Sequence, residues 1–196
     1  MAEQILAAAV LVIFYSIYYG KQCLQKKKGI QTYQLQKQKK GEKQWVARGM
    51  GLATVLVVVV EIISIAMHTQ PLPLWARVLG LVQAFLGDGV FLLAVCTMGD
   101  SWRAGVSGEE KTQLITHGIY RFSRNPAFLG FDLVYLGLLL TYFNWVHLAV
   151  ALAAAVLLHL QVVLVEEPYL PEAFGEEYLQ YRRKVCRYFG RRCGDK

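Results

Sequence analysis

At 196 residues the chain is long enough for one domain and short for two. Hydrophobic residues make up 55% of it, the mean hydropathy is +0.34, and the apolar residues gather in long blocks, which excludes an ordinary soluble domain. The net charge of +7 points to anionic lipid headgroups and away from nucleic acid, because the basic residues lie along the edges of those blocks and form no recognised nucleic-acid motif.

The first apolar block runs from Gln4 to Gly20. No basic residue precedes it, no small-residue cleavage site follows it, and lysines come next, so it reads as a retained anchor and not a secretory signal. The Lys- and Gln-rich stretch Lys26–Lys43 reads as a solvated loop or an extension of the first helix along the membrane surface, and Gly41 marks a break. The second block, Val46 to Met67, contains the apolar run Val55–Val60. Its β-branched residues suit a strand, but its length without turn signals predicts a membrane helix. Pro71 and Pro73 mark a turn before the third block, Leu74 to Met98. The fourth, Ala127 to Phe143, and the fifth, Val146 to Val165, meet at Asn144 and Trp145 and predict a tight helical hairpin. Each block approaches the roughly 20 residues that span a bilayer, and the polar faces a soluble bundle needs are missing.

Lys and Arg then orient the bundle. Residues 21–48 hold nine, residues 99–126 hold four and the tail after Val165 holds seven, against Arg77 alone on the other side. The positive-inside rule puts those three segments in the cytoplasm and the N-terminus outside. The tail from Pro168 to Phe189 is different in kind. Leu170, Phe174, Tyr178, Tyr181, Val185 and Phe189 follow at steps of four, four, three, four and four, one face of a helix whose other positions carry Arg182, Arg183, Lys184 and Arg187. Gly175 and Pro171 are placed to break its start. The predicted fold is therefore all-α: one domain, an integral membrane bundle of about five transmembrane helices plus a C-terminal amphipathic helix. Cys23, Cys96, Cys186 and Cys193 form no CxxC pair and read as free thiols, and His68, His117, His147 and His159 lack metal-ligand spacing, so no metal is expected.

Two clusters at the basic side could carry chemistry. The first runs from His117 to Gly130. Pro126 suits the first turn of the fourth helix, and Arg124 stands just before that helix's N-terminus, a combination suited to a carboxylate or phosphate. Alternatively, Arg121 and Arg124 anchor the loop at headgroup level, and Tyr120 and Phe128 are interfacial aromatics. The second cluster is Glu166-Glu167 before Pro168. Two carboxylates at a helix C-terminus beside hydrocarbon are costly unless they meet a cation, either a ligand or an arginine such as Arg124 or one from the tail. Within the spans, Asp88 lies between Gly87 and Gly89, where helix or ligand can approach closely, Asp132 lies one turn into the fourth helix, and Glu61 has no evident partner.

His117-Gly118-x-Tyr120, Arg124-Asn125-Pro126-x-Phe128-x-Gly130 and Glu166-Glu167-x-x-Leu170-x-x-x-Phe174-Gly175-x-Glu177-Tyr178-x-x-Tyr181-x-x-x-Val185, together with Met98-Gly99-x-Ser101-Trp102-Arg103, resemble the isoprenylcysteine carboxyl methyltransferase and phospholipid methyltransferase superfamily over about residues 98–189. The resemblance implies S-adenosylmethionine as methyl donor, held between helix ends and the C-terminal segment, with a lipid or lipidated acceptor. In keeping with this, the chain lacks a strand–GxGxxG–helix pattern. It implies Arg124 and Glu167 as catalytic residues, and His117, Gly118, Tyr120, Asn125, Pro126, Phe128, Glu166, Glu167, Gly87 and Gly89 as cofactor-binding. Asn125 and Phe128 depart from the His and Tyr of the prenylcysteine branch. Asn-Pro with Glu-Glu-Pro resembles the phospholipid branch, and the tail resembles the other. A prenylated carboxylate would need no general base, whereas an amine would need one, Glu167 or Asp132. An apolar acceptor tail would enter from the bilayer between helices. Two readings of other classes stay open at this point: a membrane reductase using a nicotinamide cofactor on a sterol-like lipid, and a non-catalytic membrane protein.

Overall fold

The computed structural model describes residues 1–32, 44–103 and 112–190. Most of the Lys/Gln-rich stretch, the Gly41 break and Cys193 lie outside the described residues. Among the described residues there are six α-helices: α1 (Ala2–Lys27), α2 (Gln44–Ala66), α3 (Leu74–Met98), α4 (Pro126–Thr141), α5 (Trp145–Leu160) and α6 (Glu167–Lys184). A π-helical turn, Gln161–Glu166, joins α5 to α6, and 3-10 turns occupy Gly99–Ser101 and Gly118–Arg121. Among the described residues there is no β-strand.

All five apolar blocks are helices in their predicted places. Four are long and apolar enough to cross a membrane: α1, α2, α3 and the continuous helix that begins with α5. The fifth, α4, is apolar throughout but only 16 residues long, about 24 Å at 1.5 Å per residue. It is packed against α3 in a way that only glycine permits. A Cβ on Gly80 would meet the Gly137 carbonyl oxygen at 2.5 Å, and one on Gly137 would meet the Gly80 oxygen at 2.6 Å. One turn-pair further along, a Cβ on Gly87 would sit 2.9 Å from the Gly130 oxygen. Small residues let the two backbones touch, which is how helices gain contact where lipid removes the usual hydrophobic drive.

The burial pattern is that of a membrane bundle. Small residues such as Ala7, Ala53, Ala84 and Ala154 are inside, while Ile5, Val12, Leu52, Leu86 and Leu152 are exposed to the lipid side. An aromatic cluster ties α1, α3 and α4 together. The Phe14 ring lies 4.6 Å from Phe91 and 4.7 Å from Phe131, and Tyr18 sits 5.7 Å from Trp102. Glu61 and Asp88 are buried in the protein, clear of lipid. At the end opposite the basic loops, Arg77 pairs with Glu3 at 3.1 Å, and the Asn144 side chain caps α5 by accepting from the His147 amide at 2.8 Å. That cap is the predicted hairpin turn.

The amphipathic tail forms as predicted up to its last position. Tyr178, Tyr181 and Val185 are buried, with Leu170 and Phe174 packed beside them against Tyr120, Met98 and Ile119. Gly175, at φ 57°, breaks the helix internally, and Pro171 lies within it. Phe189 departs from the pattern and is 78% exposed, because the chain leaves the helix at Val185. Cys23, Cys96 and Cys186 are free thiols.

Candidate active site

The loop before α4 is shaped locally and then locked by the tail. Gly118 takes φ 59°, a left-handed conformation, against α3, where a Cβ would meet Thr97 Cγ2 at 2.8 Å. This brings Tyr120 inward to 3% exposure. Beyond it, the amides of Arg124 and Asn125 donate to the carbonyls of Cys186 (3.1 Å) and Arg187 (3.2 Å), and the Gly190 amide donates to the Phe122 carbonyl at 2.8 Å. The Tyr181 hydroxyl donates to the Tyr120 carbonyl at 2.7 Å. Those amides ahead of α4 are therefore taken by the tail and are not free for an anion.

Arg124 is buried at the centre of this junction. Its Nη1 donates to the Tyr178 hydroxyl at 2.8 Å and its Nη2 lies 2.9 Å from Glu167 Oε1. Arg187 grips the same carboxylate with two parallel bonds, Nε to Oε1 and Nη2 to Oε2, both 2.9 Å. Burial pushes the Glu167 carboxyl up, but the Arg187 hydrogen bond and the charges of Arg124 and Arg187 prevail and hold it below its ordinary value. The pairing of the glutamate with Arg124 and a tail arginine, one of the two readings of that cluster, is what Glu167 does.

Beside this junction lies a cavity of about 530 Å³. One end is polar, bounded by Arg103, Tyr120, Arg124, Asn125 and Glu166, with Pro126 and Phe128 next to them. The other end runs between α1 and α2, past Tyr15, Tyr19, Val55 and Val59. Tyr19, Val55 and Val59 are themselves exposed, so the apolar end is not closed off between α1 and α2. The Arg124 Nε is buried without a hydrogen-bond partner among the described residues.

Six of the expected site residues thus border one cavity: Tyr120, Arg124, Asn125, Pro126, Phe128 and Glu166. The others do not. Glu167 sits behind Arg124, His117 is exposed, and Gly118 shapes the loop from outside the cavity. Gly87 is spent on the α3–α4 contact, and a Cβ on Gly89 would meet nothing within 4 Å. Asp132 is also outside the cavity lining, whereas its neighbour Phe131 is in it.

The sequence reading missed the contributions of α1 and α2 entirely. It also missed Arg103 as a wall residue, although Arg103 stands in the motif segment that begins at Met98. Arg103 is positioned by a buried side chain. Gln25, with no exposure, donates from Nε2 to the Trp102 carbonyl at 3.0 Å and accepts from the Thr32 hydroxyl at 2.6 Å. Lys28 pairs with Asp100 at 2.7 Å just above. Gln25→Leu removes this donor from the Trp102 carbonyl, which keeps its bond from Arg103 Nη1 at 2.9 Å, and leaves the buried Thr32 hydroxyl without its acceptor, at a cost of about 1–3 kcal/mol. The thermal unfolding midpoint in detergent should fall by several degrees, whereas Lys28→Ala, at an exposed pair, should barely move it.

Residues 75–177 match the family model described as phospholipid methyltransferase. The chain is 33% identical over 115 residues to protein-S-isoprenylcysteine O-methyltransferase A of Arabidopsis thaliana, covering 57% of this chain and 58% of that protein. It is 32% identical over 110 residues to the protein-S-isoprenylcysteine O-methyltransferase of Saccharomyces cerevisiae, covering 55% and 46%. The corresponding protein of Tribolium castaneum is 26% identical over 113 residues, covering 57% and 40%. The chain spans about half the length of the curated relatives it matches.

Proposed function

This chain belongs to the phospholipid methyltransferase family, and from that premise we propose that it is an integral membrane methyltransferase that uses S-adenosylmethionine to esterify the carboxylate of a prenylated cysteine. The observation that carries the reading is the two-ended cavity. A charged end next to Arg124 and Glu166 continues into an apolar end open to lipid between α1 and α2. An acceptor with a carboxylate head and a long apolar tail has that shape and polarity.

The residues at the polar end fit such a donor. Glu166 offers a carboxylate to cationic groups, the unpartnered Arg124 Nε offers a donor to a carboxylate, and Tyr120 and Phe128 offer apolar faces to an aromatic base. When bound, the donor supplies an electrophilic methyl on a sulfonium centre. Arg103 would hold the acceptor carboxylate at the cavity mouth, and the α1–α2 walls would keep the tail in line, so that alignment provides most of the acceleration. Glu167 fixes Arg124 and takes no direct part. Gly87 and Gly89 are left out of the donor site.

The carboxylate acceptor is preferred over an amine because of where the acids lie. An amine must lose a proton, yet Glu167 is clamped between two arginines and Asp132 is off the cavity. A carboxylate is already nucleophilic. We further place the basic end, with the α4 loop and the tail, in the cytoplasm, on the strength of 20 of the 21 Lys and Arg residues.

The test is a transfer assay with methyl-labelled donor and two acceptors in mixed micelles, an S-prenylated cysteine with a free carboxylate and phosphatidylethanolamine. The expected product is a base-labile methyl ester on the prenylcysteine. Label in base-stable N-methyl groups of the phospholipid would overturn the carboxylate assignment. Failure of the folded protein to bind S-adenosylhomocysteine by calorimetry would overturn the donor site itself.

A further inference from the structure

Beyond α6 the chain doubles back. The strap from Val185 to Gly190 runs along the Phe122–Asn125 loop through the backbone bonds already described. Its Tyr188 hydroxyl then reaches His159 Nδ1 at 2.7 Å. His159 lies seven residues before Glu166 on the helical path of α5 and its π-turn, about 10 Å along a helix axis. It also falls on the exposed face of α5 that carries Leu152 and Val156. The strap therefore turns from the polar end of the bundle back over a lipid-facing surface.

Two large rings are left uncovered there. Phe189 is 78% exposed, and Phe122, whose carbonyl holds Gly190, is 52% exposed. Exposed cations flank both: Arg121 precedes Phe122, and Arg182, Arg183 and Lys184 form the last turn of α6. None of these four makes an ion pair within 4 Å with another described residue, although the charge of Arg182 is felt at Glu167. Exposed aromatic rings flanked by exposed cations complement a leaflet that is apolar below and anionic above.

We propose that the strap and the last turn of α6 dock onto anionic phospholipid headgroups, and that this docking holds the strap against the Arg124–Asn125 loop. The same strap carries Arg187, which grips Glu167 and through it Arg124. The lipid composition of one leaflet thereby reaches the candidate site: headgroups that favour the docked strap also favour the assembled junction. The inference does not depend on the methyl-transfer reading, and neither test below uses turnover.

The parent protein would be placed in nanodiscs of phosphatidylcholine alone, or of phosphatidylcholine mixed with phosphatidylserine. Hydrogen exchange would be followed at the amides of Arg124, Asn125 and Gly190. The expected result is exchange slowed several-fold by phosphatidylserine, with the effect lost in high salt and in the R182Q/R183Q/K184Q variant. Equal exchange in both lipids for the parent would overturn the proposal, and that comparison requires no variant to fold. Depth is read separately from the emission added by F189W. Quenching by brominated lipid with protection from acrylamide supports docking. Quenching by acrylamide and not by bromine would put the strap in water and leave the patch to a soluble partner instead.

Discussion

Arg124→Ala should abolish the candidate site while leaving the helices in place. The substitution takes a buried guanidinium from between Tyr178 and Glu167. Breaking a buried pair costs about 3–5 kcal/mol, and the lower end applies because Arg187 still holds Glu167. The unfolding midpoint should fall clearly, and S-adenosylhomocysteine titration should show binding weakened at least tenfold. In the transfer assay the loss should be about a hundredfold or more, the scale on which misplaced groups act. Arg124→Lys sharpens the test. A lysine keeps the charge but cannot bond Tyr178 and Glu167 in one plane, so it should recover part of the stability and little of the binding. If Arg124→Lys binds like the parent, the planar fork at this position is unimportant and the junction is only an electrostatic anchor. A double-mutant cycle with Glu167→Gln should show strong non-additivity, as expected for groups in direct contact.

Gly137→Ala should be among the most damaging single-methyl changes in the bundle. The added Cβ would lie 2.6 Å from the Gly80 oxygen and 2.7 Å from the Ala84 amide nitrogen, both backbone atoms that no rotamer change can move. Overpacking of this kind costs about 1–3 kcal/mol and sometimes more, and here it pushes apart the helix pair from which the α4 loop is hung. Gly89→Ala is the matched control on α3. Its Cβ meets nothing within 4 Å, and alanine is favoured over glycine inside a helix by about 1 kcal/mol. The expectation is a midpoint lowered by many degrees for Gly137→Ala and unchanged or raised for Gly89→Ala, with S-adenosylhomocysteine binding intact in the latter. Loss of binding in Gly89→Ala without loss of stability would return that glycine to the donor site.

These two cases mark where local pattern stops being informative. Gly87-Asp88-Gly89 looks like one motif, and a glycine in a membrane helix serves equally for helix contact or ligand contact. The position of α4 decides between them, bringing Gly130 against Gly87 and nothing against Gly89. In the same way, Glu166 and Glu167 are adjacent and alike in sequence. A helix separates neighbours by about 100°, so one carboxylate borders the cavity and the other turns to Arg124 and Arg187.

Composition and period were enough for the features that each segment settles alone. Five apolar blocks become helices because a bilayer leaves the backbone no other partner than itself. The buried face of the tail follows from its spacing, and the loop residues Tyr120 to Phe128 could be singled out because Pro126, Gly118 and Arg124 each have a restricted use. Which distant groups meet depends on how the helices pack. The cavity needed α1 and α2, whose lining residues Tyr15, Tyr19, Val55 and Val59 are indistinguishable in sequence from lipid-facing neighbours. Gln25 became a buried strut for Trp102 and Arg103, and Glu167 became the shared anion of two arginines. Hydropathy and charge report how each residue prefers water or lipid, one at a time. A salt bridge or a cavity wall is a property of pairs, fixed by how the helices pack.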